Sequence, residues 1–144
     1  MDENEISQLL QEEAGEVRRP RGVHILQSVV RPSFGTPEVI DVYALARGKQ
    51  FIAVMDCQGT LKEVELAKPD FERLYEGVCC EPLPVLLPDG PMGMDGTAHE
   101  LWIRRGSVSC RLVWWHEMPS KWGEFHAKAT AIIGYLREQF RQDL

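Results

Sequence analysis

From Trp122 to Phe140 the apolar residues Trp122, Phe125, Ala129, Ile132, Ile133, Leu136 and Phe140 recur at spacings of 3, 4, 3, 1, 3 and 4. That is one continuous stripe of an amphipathic helix of about five turns. Such a helix must bury its stripe against another layer, so the chain needs a partner element able to receive it. Pro119 stops whatever precedes the helix, and Ser120 is the expected N-cap. Gly134 lies in the helix interior at a cost of about 1 kcal/mol relative to alanine, which points to close packing there. Arg137 and Arg141 are expected in water.

The layer beneath is legible just upstream. "AHELWIRR" and "SVSCRLVWW" flank Gly106 and alternate as two strands of a hairpin. His99, Leu101 and Ile103 share one side with Val108, Cys110, Leu112 and Trp114. Glu100, Trp102 and Arg104 share the other with Ser109, Arg111, Val113 and Trp115. The stretch "WWHEMPSKW", Trp114 to Trp122, holds three of the four tryptophans. Trp114 goes to the core side and Trp122 opens the helical stripe. Trp115, His116 and Glu117 are left without a packing role.

Earlier in the chain, "VHILQSVV" is a strand ending at Arg31-Pro32. "EVIDVYALA", "KQFIAVMD" and "TLKEVEL" follow, joined through Arg47-Gly48 and through Cys57-Gln58-Gly59, an antiparallel meander. "FIAVM" is apolar on both sides and is expected as a central strand covered twice. "KPDFERLYEG" reads as a short helix with Pro69 in its first turn, Phe71, Leu74 and Tyr75 on one face, and Gly77 closing it. The segment 78–96 has four prolines and three glycines and reads as a long loop, its first half packed and its second half mobile. Residues 1–21 read as an arm with a short helix, Asn4 to Ala14, carrying Ile6, Leu9 and Leu10. The expected architecture is α+β: one domain over 22–144, a mostly antiparallel sheet of five or six strands, and helices on one face.

The 144 residues carry a net charge of −6, and the one dense basic run is "RRPR", Arg18 to Arg21. Nucleic-acid affinity needs a basic face, so that class is disfavoured; an acidic surface suits a basic protein partner. The start "MDENEISQLLQEEAGE" lacks the basic and apolar regions of a secretory signal. No apolar run approaches the ~20 residues of a membrane helix. A cytoplasmic setting follows, with Cys57, Cys79, Cys80 and Cys110 as reduced thiols.

No catalytic constellation stands out. There is no G-x-S-x-G, C-x-x-C or H-E-x-x-H, and the glycines of "GPMGMDG" lack a following lysine. Cys110 and His99 could share a face of the hairpin, but a cysteine among Val108, Leu112 and Trp114 is ordinary core. His116 and His126 with Glu117 or Cys110 are a conceivable metal set, although no ligand spacing supports one. No cofactor is implied.

The hairpin "ELWI…LVWW", the turn with Pro119 and the helix opened by Trp122 resemble a pattern in small uncharacterised bacterial proteins. The resemblance spans about 40 residues of the C-terminal part. The pattern is structural and implies no activity. Some small acidic bacterial domains of this kind are immunity proteins that accompany secreted toxins, and this chain is similar to them in size, charge and lack of a catalytic motif. The first functional reading is therefore a non-enzymatic interaction domain using Trp102, Arg104, Arg111, Trp115, His116 and Glu117. Tryptophan and arginine are favoured at the centre of protein interfaces. The alternative is a small-ligand- or metal-binding domain, or an enzyme, with His99, Cys110, His116 and Glu117 lining a pocket under loop 78–96.

Overall fold

Six strands in the order β4-β3-β2-β1-β5-β6 form a single sheet, and every neighbouring pair is antiparallel. The computed structural model describes residues 22–57, 59–82, 96–118 and 122–141. The strands are β1 (Val23–Pro32), β2 (Glu38–Leu45), β3 (Gln50–Cys57), β4 (Thr60–Leu66), β5 (Thr97–Arg105) and β6 (Val108–Trp115). The helices are α1 (Lys68–Cys79) and α2 (Glu124–Arg141). The α+β architecture expected from the sequence is thus present, with six strands. The arm 1–21, the loop segment 83–95 and the proposed cap at Ser120 lie outside the described residues.

The meander and the hairpin meet at β1, which pairs with β2 on one side and β5 on the other. β1 therefore holds the middle of the sheet with β2. This corrects the expectation for "FIAVM": β3 lies second from the edge. Apolar residues on both sides of a strand reveal two-sided burial, not lateral position. Phe51 and Ala53 of β3 join the helix-packed core, while Val54 is buried on the opposite face.

β1 also carries an irregularity. His24 pairs with Tyr43 and Leu26 with Val42, so Ile25 is an extra residue, a β-bulge. The bulge lets Ile25 and Leu26 both enter the core and leaves His24 on the other face. The β2–β3 connection uses left-handed residues, Ala46, Arg47 and Gly48, with φ of 49°, 58° and 84°. At the β3–β4 turn Gly59 has φ 85°, and its N–H donates to the Asp56 carboxylate at 3.0 Å.

α1 begins as expected, with Pro69 in its first turn. It runs past Gly77 to Cys79, because Val78 continues the buried face of Phe71 and Tyr75. The Tyr75 hydroxyl donates to the Arg104 carbonyl and ties α1 to β5. Burial, and then the neighbouring Cys79, push that phenol far above its ordinary range. α2 buries Phe125, Ala129, Ile132, Leu136 and Phe140, the stripe read from the sequence. Trp122 stands just before the helix and not in it, since Gly123 turns the chain at φ 55°. Its ring still packs edge-on against Trp114 and Phe125, with centroids 5.9 Å away in each case. Val108, expected inward, is 72% exposed at the hairpin tip. Among the described residues no helix is long and apolar enough to cross a membrane.

Leu136 is fully buried beneath the sheet, so Leu136→Ala is expected to cost about 2–5 kcal/mol of unfolding free energy in urea titration. Arg141→Ala, at an exposed site, should stay within about 0.5 kcal/mol. Equal losses in the two variants would contradict this packing.

Candidate functional site

The β5–β6 hairpin closes over Gly106, at φ 59°, with Arg105 opposite Val108. Its register pairs Trp102 with Arg111 and Ala98 with Trp115. Alternation then places Trp102, Arg104, Arg111 and Trp115 on the face turned away from the helices, as expected. Glu100 lies among them and bridges two arginines, Arg31 at 2.8 Å and Arg111 at 3.6 Å. Arg104 and Arg111 are exposed, whereas both tryptophans are half-buried.

Each tryptophan has a reason for its partial burial. Trp102 stacks on His24 with centroids 4.7 Å apart, and Tyr43 stacks on His24 at 4.9 Å. The Asp41 carboxylate holds the other groups of this cluster: His24 Nε2 lies 2.8 Å from Oδ1, and Gln27 Nε2 donates to the same oxygen at 2.9 Å. Trp115 lies over Gly96, where a Cβ would sit only 2.9 Å from the indole Nε1. Gly96 is fixed in turn by Ser33, whose hydroxyl accepts its N–H at 2.9 Å and whose N–H donates to its carbonyl at 3.0 Å. Sequence reading missed His24, Gln27 and Asp41. The bulge that turns His24 to this face left no mark in the alternation.

His116 and Glu117 take a different place. His116 has φ 63°, a left-handed conformation that costs a non-glycine residue about 1–2 kcal/mol. Its N–H donates to the Thr97 carbonyl at 2.7 Å. The turn ends the alternation of β6 and carries His116 and Glu117 to a cleft of about 610 Å³ between the sheet and α2. His99 and Trp114 line the same cleft, their rings nearly parallel (3°) with centroids 5.3 Å apart. His126, Gly134 and Arg137 border it from α2. Arg137 is not simply solvated: Nε lies 2.9 Å from Glu38 Oε1 and Nη2 donates to Oε2 at 3.0 Å. Gly134 is not closely packed either, since a Cβ there would meet nothing within 4 Å.

The six candidates are therefore divided, four on the outer face of the hairpin and two at the cleft. Of the four residues expected around a pocket, His99, His116 and Glu117 do line one cavity. Cys110 lines a separate apolar groove of about 240 Å³ with Val78, Cys79 and Leu101. Cys110 stands opposite Ile103, four residues from His99 along β5, a separation of about 13 Å that rules out a Cys–His pair. Among the described residues no three His, Cys, Asp or Glu side chains converge on a metal position. All four cysteines are unbridged. No protein family, curated protein or solved structure matches this chain.

Burial pushes the His99 imidazole below its ordinary value of 6.5; the backbone of His116 opposes the shift, and the Arg137 and His116 charges add to it. Above that value both folded and unfolded states hold a neutral ring and His99 adds no pH dependence. As pH falls through 6.5 the unfolded chain takes up the proton first, so stability is lost with acid. His99→Gln should flatten the fall in melting temperature between about pH 6.5 and 5. An unchanged slope would contradict the burial of this ring.

Proposed function

We propose that this chain is a non-enzymatic protein-interaction domain that engages its partner through the outer face of the β5–β6 hairpin. The observation that carries the reading is the register: Trp102, Arg104, Arg111 and Trp115 share one face of two adjacent strands. Stacking on His24 and packing on Gly96 hold the two indoles in place, so little side-chain entropy is lost when a partner covers them. Arg111 lies beside them, tethered to Glu100 but exposed. Aromatic anchors with arginine are the composition of interface centres. Arg111 belongs to β6, an edge strand that also exposes Val108 and Val113 at 72% and 58%. It offers apolar area and backbone groups to an incoming chain.

In its sharpest form the reading is a bacterial immunity protein that neutralises a toxin. The net charge of −6 favours approach of a basic partner. The arginines on the contact face would then meet local carboxylates of that partner. The similarity to such proteins in size, charge and lack of a catalytic motif supports the same reading.

The test uses the purified product of a gene neighbouring this one. Binding measured by calorimetry should weaken by about tenfold or more in Trp102→Ala and in Arg111→Ala. Glu65→Ala, on the opposite edge strand, should leave affinity unchanged. Melting curves separate lost contacts from lost folding. Unaltered affinity in both hairpin variants, with the fold intact, would refute the assignment of this face.

A further inference from the structure

The cleft between the hairpin and α2 has a wall that its own helix keeps bare. Gly134 sits well inside an 18-residue helix, where almost any other residue would favour the helix more. Its neighbours do not require it, because a Cβ would meet no atom within 4 Å. Its φ lies outside the left-handed region that selects glycine. Gly134 is exposed at the rim of the cleft, where a long side chain would reach across the opening. Thr130 and His126 precede it along the same cleft-lining row of α2.

The lining chemistry is specific. His99 and Trp114 form a parallel aromatic pair, flanked by Ile133 and Met118. Among the described residues the guanidinium that borders the cleft, that of Arg137, is already paired with Glu38. A phosphate or carboxylate would find no unengaged guanidinium among them. At pH 7.5 an imidazole is already mostly neutral, and burial pushes His99 further in that direction. Among the described residues no hydrogen bond engages the side chains of His116, Glu117 or His126. They supply donors and acceptors at the mouth, with Glu117 suited to accept from N–H groups. The volume, about 610 Å³, falls within the range of small-molecule sites.

We infer that this cleft binds a small, uncharged nitrogen heterocycle, whose flat ring lies against the apolar and aromatic lining and whose ring nitrogens and N–H groups meet His116, His126 and Glu117. Gly134 leaves the opening of the cleft clear. This site is distinct from the hairpin's outer face and does not depend on it.

Benzimidazole and adenine are the neutral probes, with benzoate and AMP as their anionic counterparts, titrated into the full chain at pH 7.5. NMR follows the Trp114 indole N–H and the imidazole resonances of His99 and His126. The neutral rings should move these signals saturably, and the anions should bind no more tightly. Gly134→Leu should weaken the neutral probes at least tenfold while keeping the native spectrum elsewhere. Gly134→Ala should keep binding and raise the melting temperature, which separates blocking of the cleft from damage to the helix. Three results would overturn the inference: no saturable shift with either neutral ring, tighter binding of benzoate or AMP, or full binding in Gly134→Leu.

Discussion

The pairing of β1 with β5 is the constraint on which everything else in this structure depends. Nearly eighty residues separate Leu26 from its partner Ile103, so loop closure must be offset by what the pairing brings together. It joins the meander to the hairpin and makes one sheet long enough to receive α2. It also decides faces. Side chains alternate with a period of two, so a slip of one residue would carry His99 and Leu101 to the outer side and Trp102 into the core. The cleft and the hairpin's outer face exist in their present form only because Val30 stands opposite His99 and Gln27 opposite Trp102.

α2 supplies the second half of that arrangement. Its stripe from Phe125 to Phe140 closes the core over Leu26, Ile40, Leu101 and Trp114. The helix stays pinned at its far end by the Arg137–Glu38 pair, in which both guanidinium contacts fall at hydrogen-bond distance. Near its N-terminal end Phe125 and Ala129 are buried in that core, while His126 and Thr130 border the cleft. Gly123 and the left-handed His116 turn the chain there, and the cleft opens between them and the helix.

Much of this was legible in the residues, and the parts that were not have physical reasons. The alternation from His99 to Trp115 assigned the outer and inner faces of the hairpin, apart from the exposed tip at Val108. The 3–4 spacing after Trp122 found every buried residue of α2, but Trp122 itself packs as a neighbour of the helix because Gly123 takes a positive φ. Lateral strand order was not legible. Alternation describes one strand at a time, and "FIAVM" looks the same second from the edge as it would in the middle. The cluster of His24, Gln27 and Asp41 was hidden by the bulge at Ile25. Gly134 was misread because a cavity leaves no periodic trace in a sequence, and Arg137 because its partner Glu38 lies far away along the chain. Cys110 and His99 do share a face, as alternation allowed, yet only the register reveals their distance.

The most direct test of this account is the register of β1 against β5, read from cross-strand backbone NOEs in solution. The account predicts contacts joining Leu26 with Ile103, Ser28 with Leu101 and Val30 with His99. Contacts displaced by one residue, such as Val29 with His99, would place the histidine and Trp102 on exchanged faces. That result would contradict both the hairpin surface and the cleft.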